Sequence, residues 1–214
     1  MNKDSSHSSI VQDIAEYYGS KVSAYGETPR GVDWNSDEGQ ITRFRQLTKV
    51  ITTETNYSVA DLGCGYGALY DYLKTSGKTF EYCGYDISEE MIRRAVNRFC
   101  GSKGATFILS DKINEMKNFS IASGIFNVRQ HYSDDEWLSY ILSVLDNMNQ
   151  YSEFGFSFNC LTSYSDDFKM KSYLYYADPL VLFDICKRRY SKDVALLHDY
   201  GLYEFTIIVR KSYE

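Results

Sequence analysis

The sequence lacks the features of membrane-bound, secreted and metal-binding proteins. No apolar run reaches the 18 residues that a membrane-spanning helix needs, and the first nine residues lack the apolar segment of a signal peptide. The five cysteines are scattered, and no Cys-x-x-Cys pair occurs, so neither a structural zinc site nor a disulfide framework is indicated. These absences predict a cytoplasmic protein with reduced thiols, no membrane contact and no bound metal.

Basic residues are also in short supply. The chain has 23 Lys and Arg against 29 Asp and Glu, which gives a net charge of −6. Because nucleic-acid binding depends on neutralising phosphates, we expect no nucleic-acid partner. Aromatic residues, in contrast, make up 16% of the chain, and its 43% hydrophobic content supports a sizeable core. A chain of 214 residues is most simply a single domain.

The central feature of the sequence is a glycine-rich turn. A predicted buried strand ends near Asp61, and Gly63, Gly65 and Gly67 follow at intervals of two before a helix begins. Glycine allows the positive φ angles and the close backbone approach that a ligand-binding turn requires. The dinucleotide fingerprint G-x-G-x-x-G/A is met by Gly63, Gly65 and Ala68, but the preceding acid suits a ligand that carries an amino group.

Strands and helices alternate along the rest of the chain, which predicts a mostly parallel sheet with helices on both faces. The last two predicted strands are joined only by Tyr200-Gly201-Leu202, so they must pair antiparallel. The predicted fold is an α/β domain with a seven-stranded, mostly parallel sheet and a terminal antiparallel strand. The predicted strands cover residues 57–62, 79–86, 105–109, 119–126, 153–161, 193–198 and 203–210.

We expect three segments within this single domain. Residues 1–9 are predicted to form a disordered leader, and residues 10–56 an N-terminal helical cap. Residues 57–214 are predicted to form the ligand-binding α/β domain.

The glycine turn and the strand order resemble those of class I S-adenosylmethionine (SAM) methyltransferases. Asp61, Gly63, Gly65 and Gly67 match the first motif of that family, D/E-x-G-x-G-x-G, in full. The terminal hairpin is similar to the antiparallel end of the family's seven-stranded sheet. The resemblance covers roughly residues 57–211 and implies SAM as cofactor, with Asp61 at its amino-acid end. Asp61 and the hairpin both disfavour an NAD-dependent oxidoreductase.

Three acidic residues follow successive predicted strands. Asp61, Asp86 and Asp111 should therefore lie at one edge of the sheet, where open α/β sheets bind ligands. The family resemblance implies that Asp86 accepts hydrogen bonds from both ribose hydroxyls and that Asp111 accepts one from the adenine amino group. The alternative for each acid is an ordinary helix cap or turn residue.

Other residues complete the predicted cofactor site. Ile87 and Met91 are expected to pack on the adenine, with ordinary core packing as the alternative for Met91. Arg43, on a predicted N-terminal helix, is a candidate for bidentate contact with the methionine carboxylate, or else a surface arginine. The remaining candidates are Gly63, Cys64, Gly65, Gly67, and Ser123 and Gly124, which resemble the family's fourth motif.

Proline is nearly absent, and this bears on the methyl acceptor. Pro29 and Pro179 are the only two prolines. The Asn/Asp-Pro-Pro-aromatic motif of base amino-methylation and the Pro-Cys pair of cytosine methylation are therefore both missing. With the acidic charge, this predicts a small polar metabolite as acceptor, with a sugar or sugar-linked intermediate as the working hypothesis. A non-catalytic SAM-binding regulatory or partner subunit is the alternative.

Histidine is scarce as well, with three residues in the chain. His131 and His198 are the candidates for a general base in an O- or N-methylation, with Asp199 as a helper, because imidazole titrates near neutral pH. Both could equally be polar loop residues, and His7 is discounted because it lies in the leader. The acceptor pocket is predicted to draw on Tyr25, Trp34, His131, Tyr132, Tyr164, Tyr173, Tyr175 and Tyr176. A homodimer contact is the alternative for the tyrosines at 173–176.

Overall fold

The computed structural model describes residues 3–32, 36–53 and 55–211. Seven strands form one sheet in the order β3-β2-β1-β4-β5-β7-β6. They are β1 (Tyr57–Leu62), β2 (Phe80–Asp86), β3 (Ala105–Leu109), β4 (Lys117–Ala122), β5 (Ser152–Leu161), β6 (Asp193–Leu197) and β7 (Glu204–Arg210). Strands β1 to β5 pair in parallel, and β7 runs antiparallel to both neighbours. The predicted fold class is therefore confirmed.

Six α-helices within the described residues surround this sheet. They are α1 (Lys3–Tyr25), α2 (Asp37–Leu47), α3 (Ala68–Lys74), α4 (Glu89–Arg98), α5 (Asp134–Gln150) and α6 (Pro179–Arg189). None of the helices within the described ranges is long and apolar enough to cross a membrane.

Helix α1 differs from the sequence-based expectation. It begins at Lys3, so residues 3–9 are helical where a disordered leader is predicted. Its apolar face is anchored in the core by Ile10 and Ile14, both buried. Extending a helix from an anchored turn costs little, whereas starting one is expensive, and the polar residues before Ile10 therefore continue the helix. It ends before Gly26, whose φ is +67°.

The two faces of the sheet carry separate apolar clusters. Along β1, Ala60 and Leu62 pack into the cluster that contains α1, α5 and α6 residues, whereas Tyr57 and Val59 pack into the cluster shared with α2 and α3. Successive strand residues point to opposite faces, so this alternation is what a strand covered on both sides requires. The carboxyl ends of β1 to β4 are thereby left at one edge of the sheet, between the two helical layers.

Local signals fix several element boundaries. Ser133 and Glu136 form the predicted capping box at the start of α5, with each side chain bonded to the other residue's backbone N–H. Asp178 caps α6, and Pro179 follows it, as predicted. Strand β4 ends at Ala122 rather than near residue 126, because Gly124 turns the chain with a φ of +78°.

The capping box gives a test of the fold. Replacing Ser133 with Ala removes the acceptor for the Glu136 N–H, and we expect the free energy of unfolding to fall by about 1 kcal/mol. Urea titration followed by circular dichroism measures this change. Ser133→Asp keeps an N-cap acceptor and should stay close to wild type. Equal losses in both variants would mean that the cap is not what stabilises this end of α5.

Candidate cofactor and active site

A cavity lies at the carboxyl ends of β1 to β4. It encloses about 880 Å³ of space, part of it open to solvent. Its floor is made by the strand ends and the glycine turn, and its roof by α1 and α2. The lining comprises Ile14, Tyr18, Val32, Gln40, Phe44, Asp61, Leu62, Gly63, Cys64, Gly65, Tyr66, Ala68, Leu69, Asp86, Ile87, Met91, Ser110, Asp111, Ser123, Gly124, Ile125, Tyr140 and Val144.

The glycine turn is closely packed on both sides. Gly63, Gly65 and Gly67 have φ angles of +76°, +54° and +86°, in the region that favours glycine. A Cβ atom on Gly63 would lie 2.1 Å from Cγ2 of Ile125, and one on Gly67 would lie 2.5 Å from Cε2 of Phe99. Side chains are therefore excluded at both positions by backbone conformation and by space.

Asp61 lies at the end of β1 and is only 1% exposed. The Tyr82 hydroxyl donates to its Oδ2 at 2.5 Å, whereas its Oδ1 has no hydrogen-bond partner among the described residues. Burial raises the pKa of Asp61 to about 7; the Tyr82 hydrogen bond opposes the rise, and the charge of Asp86 adds to it. A buried carboxylate with an unpaired oxygen is suited to receive a cationic donor such as an ammonium group.

Asp86, at the end of β2, is held by backbone donors. The Gly65 N–H donates to its Oδ2 at 2.8 Å, and the Ser88 N–H donates to its Oδ1 at 2.9 Å. Burial raises the pKa of Asp86, and these backbone hydrogen bonds oppose the rise. Each carboxylate oxygen can accept a second hydrogen bond, so Asp86 is oriented and still able to bind a pair of hydroxyls.

Asp111 also lines the cavity. Its Oδ2 lies 3.4 Å from Nε2 of His7, and the His7 ring lies 5.3 Å from the Tyr140 ring. Helix α1 thus brings His7, which sequence reasoning discounts, to the side of a predicted adenine-binding residue. Only the continuation of α1 toward Lys3 makes this contact, and no signal in the sequence indicates it. Ile87 and Met91 also line the cavity.

Ser123 and Gly124 form the floor after β4. Ser123 Oγ is buried and has no hydrogen-bond partner among the residues that the structure describes. The Gly124 N–H donates to Oδ1 of Asn159 at 2.8 Å, and Asn159 Nδ2 donates to Glu204 Oε2 at 2.5 Å. Asn159, a residue of β5, therefore holds the turn after β4 in place. The sequence analysis does not predict this role.

Arg43 does not take the predicted position over the cavity. Its Nε donates to Glu204 Oε2 at 2.8 Å, and its Nη2 donates to Glu204 Oε1 at 2.6 Å. Both partners are buried, and Arg43 is absent from the lining given above. The bidentate carboxylate contact predicted for Arg43 is therefore made within the protein, whereas Gln40 and Phe44 of the same helix reach the cavity.

The three predicted catalytic residues also lie outside the described lining. The His131 side chain is 71% exposed, stacks on Tyr132 and has its Nε2 3.9 Å from Asp13 Oδ2. His198 and Asp199 are exposed after β6, at the carboxyl edge of the sheet, and the His198 ring lies 5.9 Å from the Tyr164 ring.

The predicted aromatic acceptor pocket is not assembled around this cavity. The tyrosines and His131 named for it are absent from the described lining, and Tyr25 and Tyr164 are exposed. Trp34 lies outside the described residues. The cavity instead receives Tyr18, Tyr66 and Tyr140.

The residues that line the cavity fit a ligand with a nucleoside at one end and an amino acid at the other. Two buried oxygens, Asp61 Oδ1 and Ser123 Oγ, have no partner among the described residues. Such atoms cost free energy unless a ligand or water pairs with them. The glycine turn lets a ligand approach the backbone closely. Asp86 and Asp111 provide further carboxylate oxygens that can accept hydrogen bonds from a ligand in the cavity.

Comparisons with known proteins agree with this geometry. The family described as a methyltransferase domain matches residues 59–148. A Mycobacterium tuberculosis (strain ATCC 25618 / H37Rv) protein named "Putative methyltransferase Rv1506c" is 57% identical over 164 residues, covering 77% of this chain and 99% of that protein.

Two solved structures have the same fold at low sequence identity. Magnesium protoporphyrin IX methyltransferase from Synechocystis PCC 6803 with bound SAM has a TM-score of 0.65 at 15% identity, covering 94% of this chain and 97% of that chain. The N-methyltransferase NodS from Bradyrhizobium japonicum WM9, in complex with S-adenosyl-L-homocysteine (SAH), also has a TM-score of 0.65, at 12% identity, covering 94% and 99%.

The raised pKa of Asp61 predicts how stability depends on pH. The pKa of this carboxyl is about 7 in the folded chain, against an ordinary value of 3.8, so its favourable contribution is complete below pH 3.8 and is lost as pH rises through about 7. Asp61→Asn stays neutral throughout. We expect the stability of this variant relative to wild type to rise between those pH values and to level off above them, at about 4 kcal/mol by pH 8.

Thermal unfolding of the protein without ligand, measured from pH 5 to pH 8.5, checks this expectation. Asp199→Asn is the matched control, because Asp199 is exposed and its substitution should not produce the same trend. A constant difference between Asp61→Asn and wild type across this range would contradict the assignment.

Proposed function

The chain belongs to the class I SAM-dependent methyltransferase family, and we propose that it methylates an oxygen or nitrogen atom of a small polar metabolite. SAM is the cofactor. When bound, it supplies a methyl group on a sulfonium centre for in-line transfer. The observation that carries the assignment of this cavity is the pair of unpartnered buried oxygens, Asp61 Oδ1 and Ser123 Oγ, on residues of its floor.

We assign the three acids to successive parts of the cofactor. Asp61 would accept from the ammonium group, Asp86 from the ribose hydroxyls and Asp111 from the adenine amino group. The free oxygen of Asp61 and the backbone-held orientation of Asp86 support these roles. Residues 10–56 would act as a cap, since Ile14, Gln40 and Phe44 of that segment line the cavity.

Several observations support a small polar acceptor, with a sugar or sugar-linked intermediate as the working hypothesis. The described lining of the cavity contains no Lys, Arg or His, so it offers no cationic side chain to a polyanion. The net charge of −6 also disfavours a polyanionic acceptor. Of the two solved structures, one is a magnesium protoporphyrin IX methyltransferase, whose name is that of a small molecule, and the other is an N-methyltransferase.

Orientation of the acceptor is the main contribution that we propose for the protein. Holding two reactants in line lowers the entropic part of the barrier without any proton transfer. A histidine base, His131 or His198 with Asp199, remains a prediction from the sequence. Both imidazoles lie outside the described lining, so this geometry favours orientation over a histidine base.

The acceptor class is tested by following SAH formation. The protein is incubated with SAM and with fractionated polar metabolites, sugars, purified RNA or purified DNA in separate reactions. We expect SAH to form with a polar low-mass fraction, and Asp86→Ala to abolish this signal. Methylation of RNA or DNA without turnover of any metabolite fraction would contradict the proposal. SAM binding without SAH formation in any reaction would favour a regulatory subunit.

The histidines are tested in the same assay once an acceptor is found. From their placement we expect His131→Gln, His198→Gln and the double variant to keep kcat within about threefold of wild type at saturating SAM, because neither ring lines the cavity. The assay is repeated from pH 6 to pH 9. A loss of about a hundredfold in one variant, with a flattened acidic limb of its pH profile, would identify that histidine as the base.

A further inference from the structure

Three aromatic side chains are exposed at the carboxyl end of β5. Phe168 is 83% exposed, Tyr164 66% and Tyr203 41%, and the first two are the most exposed large hydrophobic side chains among the described residues. Tyr164 and Phe168 follow β5 in the chain. Tyr203 lies beside the end of that strand, because the Thr162 N–H donates to its carbonyl oxygen at 3.1 Å. Exposed hydrophobic groups that cluster in this way are typical of binding surfaces.

Polar side chains connect two of these rings. Lys169 Nζ donates to the Tyr203 hydroxyl at 2.5 Å, and that hydroxyl donates to Asp166 Oδ2 at 2.5 Å. Lys169 Nζ also lies 4.4 Å from the centroid of the Tyr203 ring and 5.4 Å from that of the Phe168 ring. We call the surface formed by Tyr164, Asp166, Phe168, Lys169 and Tyr203 the aromatic platform.

The size and charge of the aromatic platform indicate a small neutral ligand. A whole aromatic side chain offers about 150–250 Å², so the exposed parts of its three rings provide roughly 400 Å². A stable interface with another protein needs about 800 Å² on each side. Residues 163–171 contain two Asp and two Lys, so this segment has no excess charge with which to hold a polyanion.

A saccharide has the chemistry that this surface requires. The C–H groups on one face of a sugar ring can pack on the exposed aromatic rings, whose faces carry partial negative charge. The sugar hydroxyls can donate to the Asp166 carboxylate and accept from the Lys169 ammonium group. The aromatic platform therefore offers apolar contact and both kinds of hydrogen-bonding group to one neutral ligand.

The aromatic platform lies at the same edge of the sheet as the cofactor cavity. Asn159 of β5 holds the Gly124 N–H at the floor of that cavity. Thr162 is three residues further along the chain, a span of about 10 Å, and Tyr203 is about 5 Å beyond it on the neighbouring strand. A ligand that reaches from the cavity to the platform is therefore longer than about 10 Å, which is more than one sugar ring.

We propose that the aromatic platform binds a neutral saccharide part of the methyl acceptor, away from the atom that is methylated. The proposal rests on the proposed function and narrows it to an acceptor with two or more sugar rings. Tyr164 and Phe168 supply the stacking surface, and Asp166 and Lys169 bond to the sugar hydroxyls. These residues bind the substrate and take no part in methyl transfer.

The first test measures saccharide binding without turnover. Saturation-transfer NMR titrations use maltotriose, mannotriose and triacetylchitotriose as neutral probes. The proteins are wild type, the double variant Tyr164→Ala/Phe168→Ala, Phe168→Trp and Tyr25→Ala. Tyr25 is the matched control, because it is an exposed tyrosine outside the platform. Calorimetry with SAH shows that each variant is folded, since none of the platform residues belongs to the described cavity lining.

We expect at least one probe to bind wild type and Phe168→Trp, which keeps an aromatic ring. The double variant should raise the Kd of that probe about tenfold or more, and Tyr25→Ala should stay within about twofold. SAH affinity should be the same in all four proteins. With an acceptor identified by SAH formation, the double variant should raise KM about tenfold and keep kcat within about twofold of wild type.

Binding of no probe, or equal binding to wild type and the double variant, would overturn the proposal. A dimer in light scattering that the double variant dissociates would also overturn it, because the platform would then contact a second copy of the chain. Turnover of an acceptor with the same KM in wild type and the double variant would remove the platform's role and leave the proposed function intact. Failure of wild type to bind SAH would show that the proposed function itself is wrong.

Discussion

Close packing around the glycine turn is the constraint on which the rest of the site depends. Gly63 approaches Ile125 so closely that no side chain fits between them, and Gly67 does the same with Phe99. These contacts bring the end of β1, the turn after β4 and the end of α4 into one unit. The same turn presents the Gly65 N–H to Asp86, so the strand ends are held in mutual register before any ligand arrives.

The electrostatics of the cavity follow from this packing. Asp61 and Asp86 are both buried, and burial raises the pKa of each. The charge of Asp86 also disfavours ionisation of Asp61, because both desolvated carboxylates lie at the same cavity. A positively charged ligand offsets both costs. A dinucleotide pyrophosphate would add negative charge at this point, and it is a poor match for such a site.

A buried polar chain connects the roof of the cavity to its floor. Arg43 of α2 binds Glu204 at the start of β7, Glu204 accepts from Asn159 of β5, and Asn159 holds the Gly124 N–H. Desolvation of a buried ion pair cancels much of its Coulomb attraction, so its net stabilisation is small. The ion pair between Arg43 and Glu204 instead fixes the position of α2 on the sheet. Gln40 and Phe44 of this helix therefore line the cavity.

The sequence by itself determined the α/β fold, the antiparallel terminal hairpin and the position of the glycine turn, because these depend on local periodicity, glycine spacing and short links. It also placed Asp61, Asp86 and Asp111 at one edge, since parallel strands end on the same side. Only the tertiary structure decided the fate of Arg43, whose partner Glu204 lies 161 residues away. The same holds for His7, which reaches Asp111 through the length of α1, and for His131 and His198, which lie outside the described lining. Contacts between side chains from distant segments depend on how the segments pack in three dimensions, and local sequence patterns do not predict them.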